Sequence, residues 1–200
     1  MRSPRERMVV SAALLIRERG AHATAISDVL EHSGAPRGSA YHYFPGGRTQ
    51  LICEAVDYAG EHVGAIITEA EGSLELLDTL IEKYRRQLLD SDFRAGCPIV
   101  AVSVEAGFET DREQDRQRMA PVIGRAAAVF DRWTDLIAQR FIADGIPPDQ
   151  ASELAMLATA ALEGAIVLAR VRRDLAPLDA VYRQLRSTLL AATEGKELPR

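Results

Sequence analysis

Apolar residues recur at helical spacing along almost the whole chain. Near the amino end, Val9, Ala12, Ala13 and Ile16 share one face of a helix predicted over about residues 4–19. Gly20 ends this helix, because glycine tolerates the left-handed backbone that closes a helix C-terminus. The same reasoning predicts further helices over about residues 48–70, 74–89, 98–108, 119–143, 148–174 and 178–192.

Two later segments, residues 98–108 and 109–118, lack a clear helical pattern. Residues 98–108, PIVAVSVEAGF, carry β-branched side chains that favour a strand. A lone strand would have no partner elsewhere in the chain, so we predict a helix. Residues 109–118 are rich in charge and are predicted to form a connector.

A different pattern fills the region between the first and the next long helix. Residues 24–44 read TAISDVLEHSGAPRGSAYHYF, and apolar residues three and four apart predict a short helix in the first half. Gly34 ends that helix, and Pro36 suits the start of another, because its missing N–H is not needed there. The second helix, roughly residues 37–43, is polar. The segment therefore predicts a helix-turn-helix whose second helix enters a DNA major groove.

Charge supports contact with nucleic acid at the amino end alone. The whole chain has a net charge of −5, but residues 1–50 hold seven arginines against four acidic residues, or +3. Fields from exposed charges fade within ~8–10 Å at ordinary salt, so the local excess is what matters. Arg2, Arg5 and Arg7 are expected to add non-specific contacts with phosphates.

The most apolar segment, residues 154–171, is LAMLATAALEGAIVLARV. Its central Glu163 and its marginal length disfavour a membrane span, so we predict a helix buried on both sides. With the last helix it would form half of a four-helix interface across a twofold axis; the alternative is that both are core helices of a monomer. The predicted interface residues are Leu154, Leu162, Ile166, Arg170, Val181, Leu185 and Leu189.

Other classes of function find little support in the sequence. Cys53 and Cys97 have neither a disulfide framework nor metal-ligand spacing, and the start MRSPRERMVV lacks a signal-peptide pattern. Acidic residues and histidines share helix faces, but they reproduce no di-metal or nucleophile–base motif. We expect a cytoplasmic protein that has no metal or cofactor and is not an enzyme.

The amino-terminal motif resembles that of TetR-family transcriptional repressors over about residues 8–56. The family pattern contains Lys/Arg-Gly-Ser-x-Tyr-x-(His/Tyr)-Phe, a short loop, and a Lys or Arg that opens the fourth helix. It stands here as residues 37–44 followed by Arg48. Pro36 replaces the usual serine, and the loop of residues 45–47 is one residue longer than the common form.

The resemblance extends, more weakly, to the LmrA/YxaF-like subgroup of that family. Besides the two departures, the segments GCPIVAVSVEA at 96–106 and ARVRRDLAPLDAV at 169–181 carry it. It implies about nine helices, a homodimer, and an effector pocket inside the C-terminal domain.

Roles in DNA binding carry over by position. Arg37 would contact a base edge or a phosphate, Gly38 would allow close approach of the backbone, and Arg48 would hold a phosphate. Tyr43 would either face the duplex or brace its own helix, whereas Ala40 and Phe44 are expected in the core. The complete predicted DNA-binding set is Thr24, Ser27, Pro36, Arg37, Gly38, Ser39, Tyr41, His42, Tyr43 and Arg48.

A small, mostly apolar effector would bind among the helices of residues 55–145. Glu105, an acid within an apolar run, needs a partner, which would be an arginine or a polar group of the ligand. The predicted effector-binding residues are Cys97, Val100, Val104, Glu105, Phe108, Phe130, Trp133, Thr134 and Leu157.

These observations predict an all-α protein with two domains. Residues 1–47 would form a three-helix helix-turn-helix DNA-binding domain, and residues 48–200 a helical domain for effector binding and dimerisation. The predicted function is a ligand-responsive repressor that binds a palindromic operator as a homodimer and leaves it when the effector binds. The alternatives are a helical protein-interaction adaptor without DNA binding and, less favoured, a small helical enzyme.

Overall fold

The computed structural model describes residues 2–105 and 113–194, with residues 113–118 described by their backbone alone. Within these ranges the chain forms nine α-helices and no strand, as predicted. The helices are α1 (Pro4–Arg19), α2 (Ile26–Ser33), α3 (Ser39–Tyr43), α4 (Gly47–Glu69), α5 (Ser73–Asp90), α6 (Pro98–Glu105), α7 (Glu113–Ala143), α8 (Pro148–Arg172) and α9 (Ala176–Thr193).

The helix boundaries differ from the predicted ones in two places. Helix α3 begins at Ser39 and not near Arg37, because Arg37 and Gly38 form the turn that precedes it. Helix α7 begins at Glu113, so residues 113–118 belong to a helix and not to a connector. Polar residues such as Glu, Gln and Arg are good helix formers, so their polarity alone does not predict a loop.

The chain divides into two compact units. The first comprises residues 1–61 and 97–129, and the second comprises residues 62–96 and 130–200. The predicted functional boundary at residue 47 stays a prediction, because compactness does not define function.

In the first unit, α1 packs against α2 and α6. Helix α1 begins with a capping box, in which the Ser3 hydroxyl accepts a hydrogen bond from the amide of Glu6 and the Glu6 carboxylate accepts one from the amide of Ser3. Met8 and Ile16 on α1 are fully buried, as is Ile52 on α4. These side chains belong to the buried core of the first unit, in which α1 packs against α2.

In the second unit, α9 packs against α5 and α8. Helix α8 is buried on one face and exposed on the other, so the prediction that it is buried on both sides does not hold within one chain. The exposed apolar residues of α8 are Met156, Leu157, Val167, Leu168 and Val171. By length and composition alone this helix could also cross a membrane, but core helices of soluble proteins pass the same test.

Candidate nucleic-acid interface

The two short helices α2 and α3 are fixed against α1 by their termini. Gly34, which ends α2, has the left-handed backbone (φ 64°, ψ 25°) expected of a helix C-terminal residue. The Nε of Arg7 donates a hydrogen bond to the carbonyl oxygen of Ser33, at 3.2 Å. Thus α1 holds the turn between α2 and α3 directly.

Helix α3 presents one face to the core and another to solvent. Ala40 and Phe44 are each 1% exposed, which confirms their prediction as core residues. Tyr41, between them in sequence, is 73% exposed, and His42 is also exposed. The helix therefore offers polar rings to solvent from a buried apolar base.

The remaining predicted DNA-binding residues near α3 divide by exposure. Pro36, Arg37 and Gly38 are exposed, whereas Ser39 and Tyr43 are half-buried. The Ser39 hydroxyl donates to the carbonyl oxygen of Pro36 at 2.7 Å, so it stabilises the turn before α3. Turn and helix together therefore expose both a cationic side chain, Arg37, and the rings of Tyr41 and His42.

At the start of α2, Ser27 is exposed but Thr24 is 3% exposed. The Thr24 hydroxyl donates to the carbonyl oxygen of Gly20 at 2.7 Å, inside the turn between α1 and α2. The amide of Ala25 is instead capped by the Asp28 carboxylate at 3.1 Å. Thr24 and Ser27 are expected to cap α2 or to touch the duplex; the Thr24 hydroxyl bonds Gly20 instead of capping α2, and its duplex contact stays a prediction that this inward hydrogen bond does not favour.

Arg48 also faces the protein. Its Nε donates to the carbonyl oxygen of Thr24 at 3.0 Å, and a terminal nitrogen of its guanidinium donates to the carbonyl oxygen of Ala21. Burial lowers the pKa of Arg48, and the nearby negative charge of Glu105 acts in the opposite direction. The predicted phosphate contact stays a prediction, and it would have to compete with these two hydrogen bonds to the protein's own carbonyl groups.

Two of the three arginines near the amino terminus also have partners within the unit. Arg5 pairs with Glu54 at 2.7 Å and lies over the Phe44 ring at 5.4 Å, and Arg7 binds the Ser33 carbonyl. Their expected non-specific phosphate contacts would have to compete with these interactions.

Glu105 lies at the end of α6, and its carboxylate reaches the turn between α1 and α2. It accepts a hydrogen bond from the backbone amide of His22 at 2.8 Å. The sequence pattern predicts a partner for Glu105, either an arginine or a polar group of a ligand. The partner is a backbone amide 83 residues away, with Arg48 as a nearby charge, and no local pattern indicates such a pair.

The other predicted effector-binding residues are dispersed. Cys97 is buried and Val100 half-buried in the first unit, Val104 and Leu157 are more than half exposed, and Phe108 lies outside the described residues. Phe130, Trp133 and Thr134 lie together in the second unit, where the Phe130 and Trp133 rings meet edge to face at 5.7 Å.

The second unit contains a cavity of about 50 Å³, lined by side chains of α4, α5, α7, α8 and α9. Of the predicted effector residues that the structure describes, Trp133 alone lines this cavity. The hydroxyls of Thr159 and Thr188, also in the lining, donate to carbonyl groups of their own helices. The wall is otherwise almost entirely apolar, apart from groups such as the carboxylate of Glu163. The lining residues are Val63, Ile67, Ser73, Leu76, Leu77, Leu80, Tyr84, Trp133, Ile137, Phe141, Leu154, Ala158, Thr159, Leu162, Glu163, Leu185, Thr188 and Leu189.

The predicted dimer residues lie mainly on inner faces of α8 and α9. The side chains enclosed by their own unit are those of Leu154, Leu162, Ile166, Leu185 and Leu189. Val181 is half-buried, and Arg170 donates to the carbonyl oxygen of Arg94 at 2.7 Å. Helical spacing identified the apolar positions but not which of two apolar faces points outward. The five enclosed leucine and isoleucine side chains are therefore corrected to core residues of the single chain.

Among the described residues, no cluster of three His, Cys, Asp or Glu side chains is arranged to hold a metal ion.

Comparison with known proteins finds two family models on this chain. Residues 9–55 match the model of bacterial regulatory proteins of the tetR family. Residues 73–184 match the C-terminal domain of LmrA/YxaF-like transcriptional regulators. The two matches together cover the helix-turn-helix and most of the second unit.

Proteins described as HTH-type transcriptional regulators match this chain over nearly their whole length. An uncharacterized HTH-type transcriptional regulator of Mycobacterium tuberculosis is 82% identical over 191 residues, which is 96% of each chain. The HTH-type transcriptional regulator YxaF of Bacillus subtilis is 28% identical over 185 residues, covering 90% of this chain and 92% of its own.

Solved structures share the fold. A TetR transcriptional regulator from Legionella pneumophila superimposes with a TM-score of 0.79 at 16% identity, covering 94% of this chain and 98% of its own. A TetR transcriptional regulator from Chloroflexus aurantiacus has a TM-score of 0.69 at 29% identity and covers 94% of both chains.

Proposed function

The chain belongs to the TetR family of bacterial transcriptional regulators, in its LmrA/YxaF-like group, and we propose that it is a ligand-responsive repressor. In this proposal it binds a palindromic operator as a homodimer in the cytoplasm and leaves the operator when a small, mostly apolar effector binds. Members of this family are DNA-binding regulators and not enzymes.

The observation that carries the proposal is the two-sided character of α3. Ala40 and Phe44 anchor the helix in the core, while Tyr41 and His42 remain exposed beside Arg37. A rigid helix with exposed hydrogen-bonding side chains is what readout in the major groove requires. Arg37 would contact a guanine edge or a phosphate, and the two rings would contact phosphates or a thymine methyl group.

Homodimerisation is supported by the outer face of α8. Met156 and Leu157 lie about three to four turns from Val167, Leu168 and Val171 along the helix, and all five are exposed in the single chain. Such an exposed apolar stripe is unusual for a monomer and typical of a subunit interface. A second copy would bury it, and the twofold axis would place two recognition helices on successive major grooves.

The cavity of the second unit supports an apolar effector. Its wall is almost wholly apolar and includes the rings of Trp133 and Tyr84. Pockets of this kind take ligands by burying apolar surface, with a few polar groups that fix orientation. The cavity is small, so the effector would have to be slim or would have to widen it.

Binding-site selection tests the proposal directly. The purified full-length protein would be incubated with a library of random duplex DNA, and the retained duplexes would be sequenced and assayed by gel shift. We expect a palindrome whose half-sites lie about 10 base pairs apart or a multiple of that spacing. Failure to enrich any sequence would favour the adaptor reading.

Substitutions in α3 and in the turn before it separate loss of DNA binding from loss of fold. Arg37→Ala and Tyr41→Ala should weaken binding to the selected duplex at least about tenfold, because single contacts with DNA contribute about 1–3 kcal/mol. Both side chains are exposed, so the thermal unfolding midpoint should change little. If a variant lost DNA binding and also unfolded, the result would not support a DNA contact by the replaced residue.

A further inference from the structure

The turn between α1 and α2, residues 20–25, is held by polar groups from two other helices of the first unit. From α4, Arg48 donates to the carbonyl groups of Ala21 and Thr24. From α6, Glu105 accepts from the amide of His22. One side chain satisfies carbonyl groups and the other an amide, so both hold the turn through its backbone.

The Glu105 carboxylate is closely fitted to this turn. It lies against the Cα of Gly20, where a Cβ would overlap its Oε1 atom and lie 2.9 Å from its carboxyl carbon. Its Oε2 atom binds the His22 amide at 2.8 Å. A shorter side chain at residue 105 would not reach the amide without a shift of α6.

The position of this turn controls the start of α2. Helix α2 begins at Ile26, two residues after Thr24, and α3 follows through the turn at Gly34. A change in the backbone of residues 20–25 would therefore favour a shift of α2 relative to α1, and α3 would follow α2 through the turn at Gly34. The recognition surface depends on a contact made by α6, which is remote from it in sequence.

We propose that Glu105 is a positioning residue for DNA binding, which acts through its hydrogen bond to His22 to hold the helix-turn-helix in the arrangement that fits the operator. This inference rests on the proposed DNA binding. Glu105 belongs to α6. This helix begins at Pro98, just after the segment of the second unit that ends at residue 96. A displacement of α6 would release the turn and lower the fraction of protein that is competent to bind, which lowers the apparent affinity in proportion.

Three substitutions at residue 105 separate the hydrogen bond from the charge. Glu105→Gln keeps an acceptor of the same length and removes the charge. Glu105→Asp keeps the charge but is one methylene too short, and Glu105→Ala removes both. The matched control is Glu61→Gln, which removes one negative charge from an exposed site on α4 in the same unit.

We expect Glu105→Ala and Glu105→Asp to weaken binding to the selected duplex about tenfold, since hydrogen bonds to charged groups contribute enough for a factor of that size. Glu105→Gln should stay within about threefold of the unsubstituted protein, and so should Glu61→Gln. The opposite order, with the Asp variant normal and the Gln variant weak, would overturn the proposal in favour of charge compensation for Arg48. Equal affinity of all variants would also overturn it.

Amide hydrogen exchange on the full-length, DNA-free protein provides a readout that does not need an operator. The amide of His22 should exchange at least about tenfold faster in the Ala and Asp variants than in the Gln variant, because exchange tracks local opening of the turn. A purely structural role of Glu105 would raise exchange throughout the first unit. Unchanged exchange at residues 20–25 would reject the positioning role, whereas failure of the unsubstituted protein to select DNA would reject the proposed function alone.

Discussion

Gly20 and Glu105 fit together because residue 20 has no side chain. The backbone at Gly20 has φ 86°, a value that residues with a Cβ rarely adopt, and the glutamate carboxylate fills the space that a Cβ would occupy. The same glycine therefore serves two purposes, which are the reversal of the chain after α1 and the admission of a carboxylate from α6.

Replacement of this glycine should be costly and should depend on residue 105. Gly20→Ala is expected to lower the free energy of unfolding by about 1–3 kcal/mol, from backbone strain and displacement of the carboxylate. In a Glu105→Ala background the steric part disappears, so the two effects should be less than additive in urea unfolding. Gly124→Ala is the control, because a Cβ there meets nothing within 4 Å and alanine favours a helix. Strict additivity would contradict the packing described here.

Replacement of Arg48 by alanine should change the stability of the protein much more than replacement of Arg37. Arg48→Ala leaves the carbonyl groups of Ala21 and Thr24 without their donors and should cost about 2–3 kcal/mol of stability. Arg37→Ala should cost less than about 0.5 kcal/mol, because the side chain is exposed. Chemical denaturation of both variants measures the difference. A stable Arg48→Ala protein with a reduced salt dependence of DNA binding would instead support the phosphate contact.

Much of the fold follows from local pattern. The first helix was predicted over residues 4–19 and is found there, and glycine or proline marks most other helix ends as expected. The β-branched segment from residue 98 is a helix as far as Glu105, because its partners are helices and tertiary context overrides β propensity. The local pattern gives the wrong result at the start of α7, where charged residues predict a connector and the chain forms a helix.

The exposure of a site residue could be predicted only where its position on one helix face determines it. Exposure of Tyr41 between buried Ala40 and Phe44 follows from helical spacing alone. Helical spacing does not predict that Thr24 is buried or that Arg48 points into the protein. Both depend on the backbone of the turn between α1 and α2, to which their side chains bond. Likewise, an apolar stripe on each of two faces of α8 leaves its orientation undetermined until α5 and α9 are placed.

DNA binding should weaken steeply with salt. If each half-site neutralises three to five phosphates, the dimer neutralises roughly 6–10, and log K should fall against log salt with a slope of about −5 to −9. Titration of the selected duplex by fluorescence anisotropy between 50 and 200 mM salt, roughly the range over which such losses become large, measures this slope. Arg37→Ala should make the slope shallower by about one to two in the dimer if both copies contact phosphate. A nearly flat dependence would contradict a phosphate-based interface.

The outer face of α8 should be required for dimer formation. Leu168→Glu would place a charge within the apolar stripe, and burial of an unpaired carboxylate costs several kcal/mol, enough to dissociate a dimer. Leu89→Glu on α5 is the matched control, because the two leucines are 54% and 53% exposed. Sedimentation equilibrium should give a monomer for the first variant and the unsubstituted mass for the second. Monomers from both variants, or from neither, would place the interface elsewhere.

The cavity of the second unit should bind apolar probes next to Trp133, which is the single tryptophan of the chain. Benzene, a slim apolar probe, would then bind beside the indole ring and change the emission of Trp133. Ala158 lines the cavity, so Ala158→Leu should fill it and weaken probe binding at least about tenfold, because excess volume in a packed wall costs about 1–3 kcal/mol. Ala180→Leu, on an exposed position of α9, should leave binding unchanged. If the probe bound both variants equally, it would occupy another surface, and the cavity would be no more than a packing defect of the core.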